Sequence, residues 1–154
     1  MELSSGRART LARTVDVPRP VDEVWGRLIE IDRYPVMWPW LRGLDWRGGF
    51  VAGAGCACRV RSPLGYSVRF DVVLDRVVPA GLVEATVTGD VAGSARLELA
   101  PAGAERCELR LVTMLVPRRA LLRALNRFAP PVARTGHDRI VRTGMDRFAA
   151  SFGS

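Results

Sequence analysis

Apolar positions in this chain repeat with two different periods. Leu11, Arg13, Val15 and Val17 alternate with polar neighbours, which predicts a strand over 10–17. The period then lengthens. Val21, Val24, Trp25, Leu28 and Ile29 form one stripe of a helix, with Pro20 suited to its first turn and Asp22 and Glu23 at its positive end. The segment YPVMWPWL (34–41) is too broken by proline for a long helix and predicts a short helix or turn carrying three large aromatics. From Gly43 the period drops to two, with strands predicted over 44–46, 55–62, 66–78, 82–88, 94–99 and 106–116. Their links hold Pro63 and Gly65, Pro79 and Gly81, Gly89 and Gly93, and Pro101 and Gly103, so they read as antiparallel hairpins. On the strand at 66–78, Tyr66, Val68, Phe70, Val72 and Leu74 share an apolar face.

The last third is helical again. Leu121, Leu122, Leu125 and Phe128, then Val132, Ile140, Val141, Met145 and Phe148, recur with the spacing of a buried helix face. Pro130 and Pro131 remove backbone donors and predict a break inside it. Strand, two short helices, a six-strand meander and one long helix make an α+β chain of about seven antiparallel strands. The simple packing for that order lays the final helix across the apolar face of a strongly curved sheet, a helix-grip arrangement.

With 154 residues the chain is long enough for one core, expected over 10–154 with residues 1–9 frayed. Cys56, Cys58 and Cys107 are an odd number and read as reduced, small apolar residues. No run resembles a signal peptide or nears the ~20 apolar residues of a membrane span, so a cytoplasmic protein is expected. The net charge is +7, and every basic residue is arginine, which reads as the codon usage of a GC-rich genome. Basic residues are scattered among acids along the strands, which argues against a nucleic-acid partner. There is no phosphate loop with its lysine and no nucleophile elbow. Cys56, Cys58 and His137 could supply three metal ligands, but two of them two apart on one strand with a distant histidine make a poor metal motif, and neither metal nor cofactor is expected.

Four segments carry a family resemblance: VPRPVDEVW (17–25), IDRYPVMWPW (31–40), SPLGY (62–66) and GHD (136–138). With the order of elements, they resemble the START-like superfamily, in its bacterial polyketide cyclase/dehydrase and lipid-transport branch, over nearly the whole chain. The resemblance implies a cavity between the sheet and the final helix, entered near the second helix. Small residues at the expected inward positions Ala54, Cys56, Cys58, Ala85 and Ala95 give a physical reason for space there.

The expected lining is Cys58, Val68, Phe70, Val72, Leu97 and Leu111 on the sheet with His137, Val141 and Phe148 on the helix. Tyr34, Trp38 and Trp40 either wall the cavity mouth and stack on a flat ligand or plug the second helix. His137 is the single histidine, and it is either a hydrogen-bonded structural residue or a general acid/base, with Tyr34 the other catalytic candidate. Arg59, Arg61 and Arg69 are expected to face outward, although a phase error on 66–78 would turn Ser67 and Arg69 into the cavity. Arg119, Arg123 and Arg127 form a like-charged stripe, either a solvated face or a transient contact with an anionic membrane or an acyl carrier protein. Three functions are consistent with this pattern: carriage of a hydrophobic small molecule of lipid or polyketide type, cofactor-free cyclisation and dehydration of a poly-β-ketone, and a regulatory or stress-associated interaction module whose cavity is collapsed.

Overall fold

A computed structural model describes residues 9–62, 65–128 and 130–152. The expected frayed stretch up to residue 8, the turn residues Pro63 and Leu64, and the stripe side chains of Leu125 and Val132 lie outside the described residues. Arg9, expected to be frayed, already belongs to β1 (Arg9–Val17). Next come α1 (Val21–Leu28), a 3-10 turn (Ile31–Arg33) and α2 (Tyr34–Met37). The meander follows as β2 (Leu41–Arg47), β3 (Gly55–Arg61), β4 (Ser67–Val78), β5 (Leu82–Gly89), β6 (Val91–Pro101) and β7 (Cys107–Pro117). The chain closes with α3 (Ala120–Phe128) and α4 (Pro130–Ala150), so the two prolines begin a new helix.

All seven strands form one antiparallel sheet in the order β1-β7-β6-β5-β4-β3-β2. The first and second strands are therefore its two edges, and α1 and α2 bridge from one edge to the other. Register shifts at Leu41/Gly43 and Leu74/Arg76 bend the sheet locally. Close backbone approach explains two glycines at the β5–β6 corner. A Cβ on Gly93 would meet the Met114 carbonyl oxygen at 1.8 Å, and one on Gly89 would meet the Arg69 carbonyl oxygen at 2.7 Å.

α1 starts at Pro20, whose extended backbone sets the cap, and carries Asp22 and Glu23 in its first turn and Arg27 in its last. Val24 and Leu28 are buried, but Ile29 lies beyond the helix end and is exposed. The main core joins these residues to Val17, Leu99, Cys107 and Leu109 of the sheet and to Val141, Met145, Phe148 and Phe152. Among the described side chains of α4, Val141, Met145 and Phe148 are pressed into it. A second cluster of Leu74, Val83 and Ala85 is covered by Trp25, Trp46 and Phe50. The Phe50 ring stacks on Trp46 at 5.6 Å and meets Trp25 edge-on at 5.5 Å. The cluster that contains Ala85 is thus packed against by aromatic rings.

Two glycine substitutions should move stability in opposite directions. Gly93→Ala should lower the urea midpoint, costing about 1–3 kcal/mol or more, because the new methyl collides with backbone. Gly26→Ala, in α1 with nothing within 4 Å of the added carbon, should raise it by about 0.5–1 kcal/mol.

Candidate functional site

Beyond the core, the N-terminal half of α4 crosses a hollow of about 340 Å³. β4 contributes Val68, Phe70 and Val72 to its wall, β7 contributes Leu111, Thr113 and Leu115, and α4 contributes His137, Ile140 and Val141. Val60, Val87 and Ala95 complete the sheet side, and Pro117 and Leu122 close one end where α3 begins. The wall is overwhelmingly apolar. Its polar groups are Arg9, Ser62, Tyr66, Thr113 and His137.

Thr113 and His137 are hydrogen-bonded across the lining, Oγ1 to Nε2 at 2.9 Å. Strand alternation turns Thr113 inward with Leu111 and Leu115, and helical spacing aims His137 at the same point. Burial pushes the His137 imidazole below its ordinary value, and the nearby Arg9 charge pushes the same way against a smaller opposing effect of Asp138. The ring is therefore neutral at pH 7. A neutral imidazole offers one donor and one acceptor, so with one nitrogen on Thr113 the other can serve a ligand oxygen or take a proton.

Six of the expected lining residues meet in this cavity: Val68, Phe70, Val72, Leu111, His137 and Val141. The other six are placed elsewhere. Phe148, 2% exposed, is locked in the core against the Phe152 ring. Leu97 packs on both clusters, and Cys58 lies one inward position along β3 from Val60. Tyr34 donates its hydroxyl to the Leu28 carbonyl at the end of α1, and burial raises its phenol well above the ordinary range. A phenol so held acts as a structural donor to the end of α1. Trp38 donates Nε1 to the Gly144 carbonyl at 3.0 Å and packs against the Tyr34 ring, while Arg147 lies over Trp40 at 5.7 Å. Trp38 and Trp40 thus brace the C-terminal half of α4, with Tyr34 packed against Trp38, all three outside the described cavity.

The arginine expectations divide. Arg59, Arg61 and Arg69 are exposed as the strand phase requires. Arg119 does not belong to a free stripe, because it donates to the Ser67 carbonyl at 2.6 Å and to Asp90 at 3.3 Å. Arg123 and Arg127 remain exposed. Among the described residues no group of three or more histidine, cysteine or acidic side chains could hold a metal ion, and His137 faces Thr113. No helix is long and apolar enough to cross a membrane among those residues.

The sequence profile of the family described as polyketide cyclase / dehydrase and lipid transport matches residues 8–153. The chain belongs to that family. Its fold is similar to the Zhui aromatase/cyclase of Streptomyces sp. R1128, with 18% identity, 95% of this chain and 94% of that chain covered, and a TM-score of 0.80. Truncated norcoclaurine synthase from Thalictrum flavum aligns at 13% identity over 100% and 99% of the two chains, with a TM-score of 0.70. Mll3558 from Rhizobium loti aligns at 17% identity over 93% and 96%, with a TM-score of 0.68. A comparison with curated protein sequences gives no match.

Several lining positions of this family member went unread in the sequence. Thr113 is a hydroxyl residue in the inward row Leu109, Leu111, Thr113, Leu115, and that interruption of an apolar row was the available signal. Ile140 was visible in the helical stripe. Arg9 and Ser62 gave no signal, because one sits at a strand start and the other at a turn.

The shifted imidazole sets a pH dependence. Its folded value lies below the 6.5 of an ordinary histidine, so below about pH 6.5 the unfolded chain binds a proton that the folded chain does not. Stability contributed by neutral His137 is full above that pH and is lost as pH falls toward the folded value. Thermal melts from pH 7.5 to 5 should show a larger drop in Tm for the wild type than for His137→Gln, and equal drops would contradict the assignment.

Proposed function

We propose that this protein binds a hydrophobic small molecule of lipid or polyketide type in the cavity between the sheet and α4, with an oxygen of the ligand facing His137 and Thr113. The observation that supports this most directly is the hollow itself: about 340 Å³ with mostly apolar walls and the inward Thr113–His137 pair. That is within the size and lining of small-molecule sites. Each 100 Å² of apolar surface a ligand buries there contributes roughly 2.5 kcal/mol. The family description, which names lipid transport and polyketide chemistry together, supports the same ligand classes.

A second reading, cyclisation and dehydration of a poly-β-ketone, is favoured by the neutral state of His137. Enolisation needs a base at near-neutral pH, and an apolar cleft would enforce the folded geometry of the chain. The likeness to an aromatase/cyclase fold fits this reading without choosing between the two.

Ligand delivery is proposed to occur at an anionic membrane surface through α3. Leu122 of this helix faces the cavity, while Phe128 and Leu121 are 79% and 42% exposed beside Arg123 and Arg127.

Displacement of a fluorescent fatty-acid probe, with native mass spectrometry of protein from its own host, tests the binding reading. Val68→Trp should fill the cavity and weaken probe binding at least ~10-fold, an effect of about 1.4 kcal/mol or more. Absence of binding by the wild type, or equal binding by the variant, would overturn it. His137→Ala should leave probe affinity within a few-fold if the protein is a carrier and abolish turnover of a poly-β-ketone if it is a cyclase. Replacing Arg123 and Arg127 together by Glu should reduce co-sedimentation with phosphatidylglycerol vesicles, and unchanged co-sedimentation would remove the membrane route.

A further inference from the structure

The inward face of β3 carries a feature that the cavity does not use. Cys56 and Cys58 point to the same side of the strand with their sulfurs 3.4 Å apart. Cys56 is buried and Cys58 is half-buried. In register beside them stand Trp46 and Val72 opposite Cys56, and Leu44 and Phe70 opposite Cys58. Phe70 and Val72 also line the cavity, so the thiols adjoin its wall on the β2 side.

The spacing selects the chemistry. With sulfur bonds of about 2.3 Å, two sulfurs 3.4 Å apart subtend roughly 95° at a shared atom. A linear two-coordinate ion would need them about 4.6 Å apart, and a tetrahedral ion about 3.8 Å apart with two further ligands. No such third and fourth ligands exist among the described residues. An intrastrand disulfide fits poorly as well, because two residues of extended chain span about 6.6 Å, near the upper limit for a bridge. What fits is a pyramidal centre that takes two sulfurs at a narrow angle and brings its own third substituent.

We propose that Cys56 and Cys58 form a chelating site for a monosubstituted trivalent arsenical. The arsenic–oxygen bonds break and two arsenic–sulfur bonds form. The two thiol protons leave with the oxygen as water, and arsenic stays trivalent throughout. The product carries no charge, which suits a partly buried place near Asp45 and Asp71, both close enough to disfavour an anion on Cys56. The Cys58 thiol bonds to the Cys56 sulfur and thereby favours its thiolate, the attacking form. The organic substituent has aromatic neighbours in Trp46 and Phe70.

Phenylarsine oxide is the probe. Intact-mass spectrometry of the reduced, folded protein should show one phenylarsenic group per chain, stable to excess monothiol and removed by ethanedithiol. Cys58→Ser and, separately, Cys56→Ser should weaken capture by ~10²–10⁴-fold through loss of the chelate, whereas Cys107→Ser should leave it unchanged. Cys58 is half-exposed, so its variant keeps the test valid if replacement of the buried Cys56 impairs folding. A wild type that stays unmodified overturns the proposal, as does wild-type capture by Cys58→Ser. Capture accompanied by loss of the near-ultraviolet circular dichroism signal also overturns it, because the unfolded chain would then be the reactive species.

Discussion

A rigid helix cannot follow a curved sheet along its whole length, and this mismatch shapes the molecule. The last turns of α4 are driven into the core, where Met145, Phe148 and Phe152 meet Val17, Cys107 and Leu109 with almost no surface left exposed. Farther back, at His137, Ile140 and Val141, the same helix faces a hollow. Side chains of valine and alanine size at Val87 and Ala95 do not span the gap, and a hollow remains. One apolar stripe therefore performs two tasks, packing at one end and roofing at the other.

The packed end of the helix is held by further contacts outside the hollow. Trp38 donates to the Gly144 carbonyl, Arg147 reaches the Met37 carbonyl, and Arg13 of β1 pairs with Asp146 at 2.7 Å. Exposed ion pairs of this kind contribute little individually, about 0–1 kcal/mol. Their value is positional, since they grip the C-terminal half of the helix from two sides, beside the buried Met145 and Phe148. At the other end Asp90 ties the approach to α3, accepting from the Arg118 and Arg119 backbone on its carbonyl and from the Arg119 guanidinium on its carboxylate. The helices that cover the cavity are thus anchored beyond its margins, and the lining itself is left mostly to apolar side chains.

Two chemically distinct places share the concave face. His137 and Thr113 offer a neutral, directional hydrogen-bonding point on the α4 and β7 side. The cysteines of β3 offer soft sulfur on the opposite side, past Val60. Phe70 and Val72 stand between them, touching the hollow and pairing in register with the thiol-bearing strand. A ligand held by the first place would lie against a wall backed by the second.

The order of elements was legible in the sequence because each is enforced locally. The change from period two to period 3.6 marks where strands give way to helices, and glycine or proline turns mark the hairpins. Strand edges moved by no more than a few residues; the segment expected at 94–99 runs over Val91–Pro101. The inward phase of Val68, Phe70 and Val72 followed from alternation alone. Alternation determines which side of the sheet a residue faces, but distance to the opposing layer decides what it touches there. Leu97 and Leu111 are direct partners across β6 and β7, yet only Leu111 reaches the hollow while Leu97 is taken up by packing. Ala85 was expected to leave space, but it is buried in a cluster against which Trp46 and Phe50, distant in sequence, are packed. The sequence alone determined the faces and their order; the tertiary structure decided which parts of those faces were filled, because filling depends on side chains brought together only by the closing of the sheet over α4.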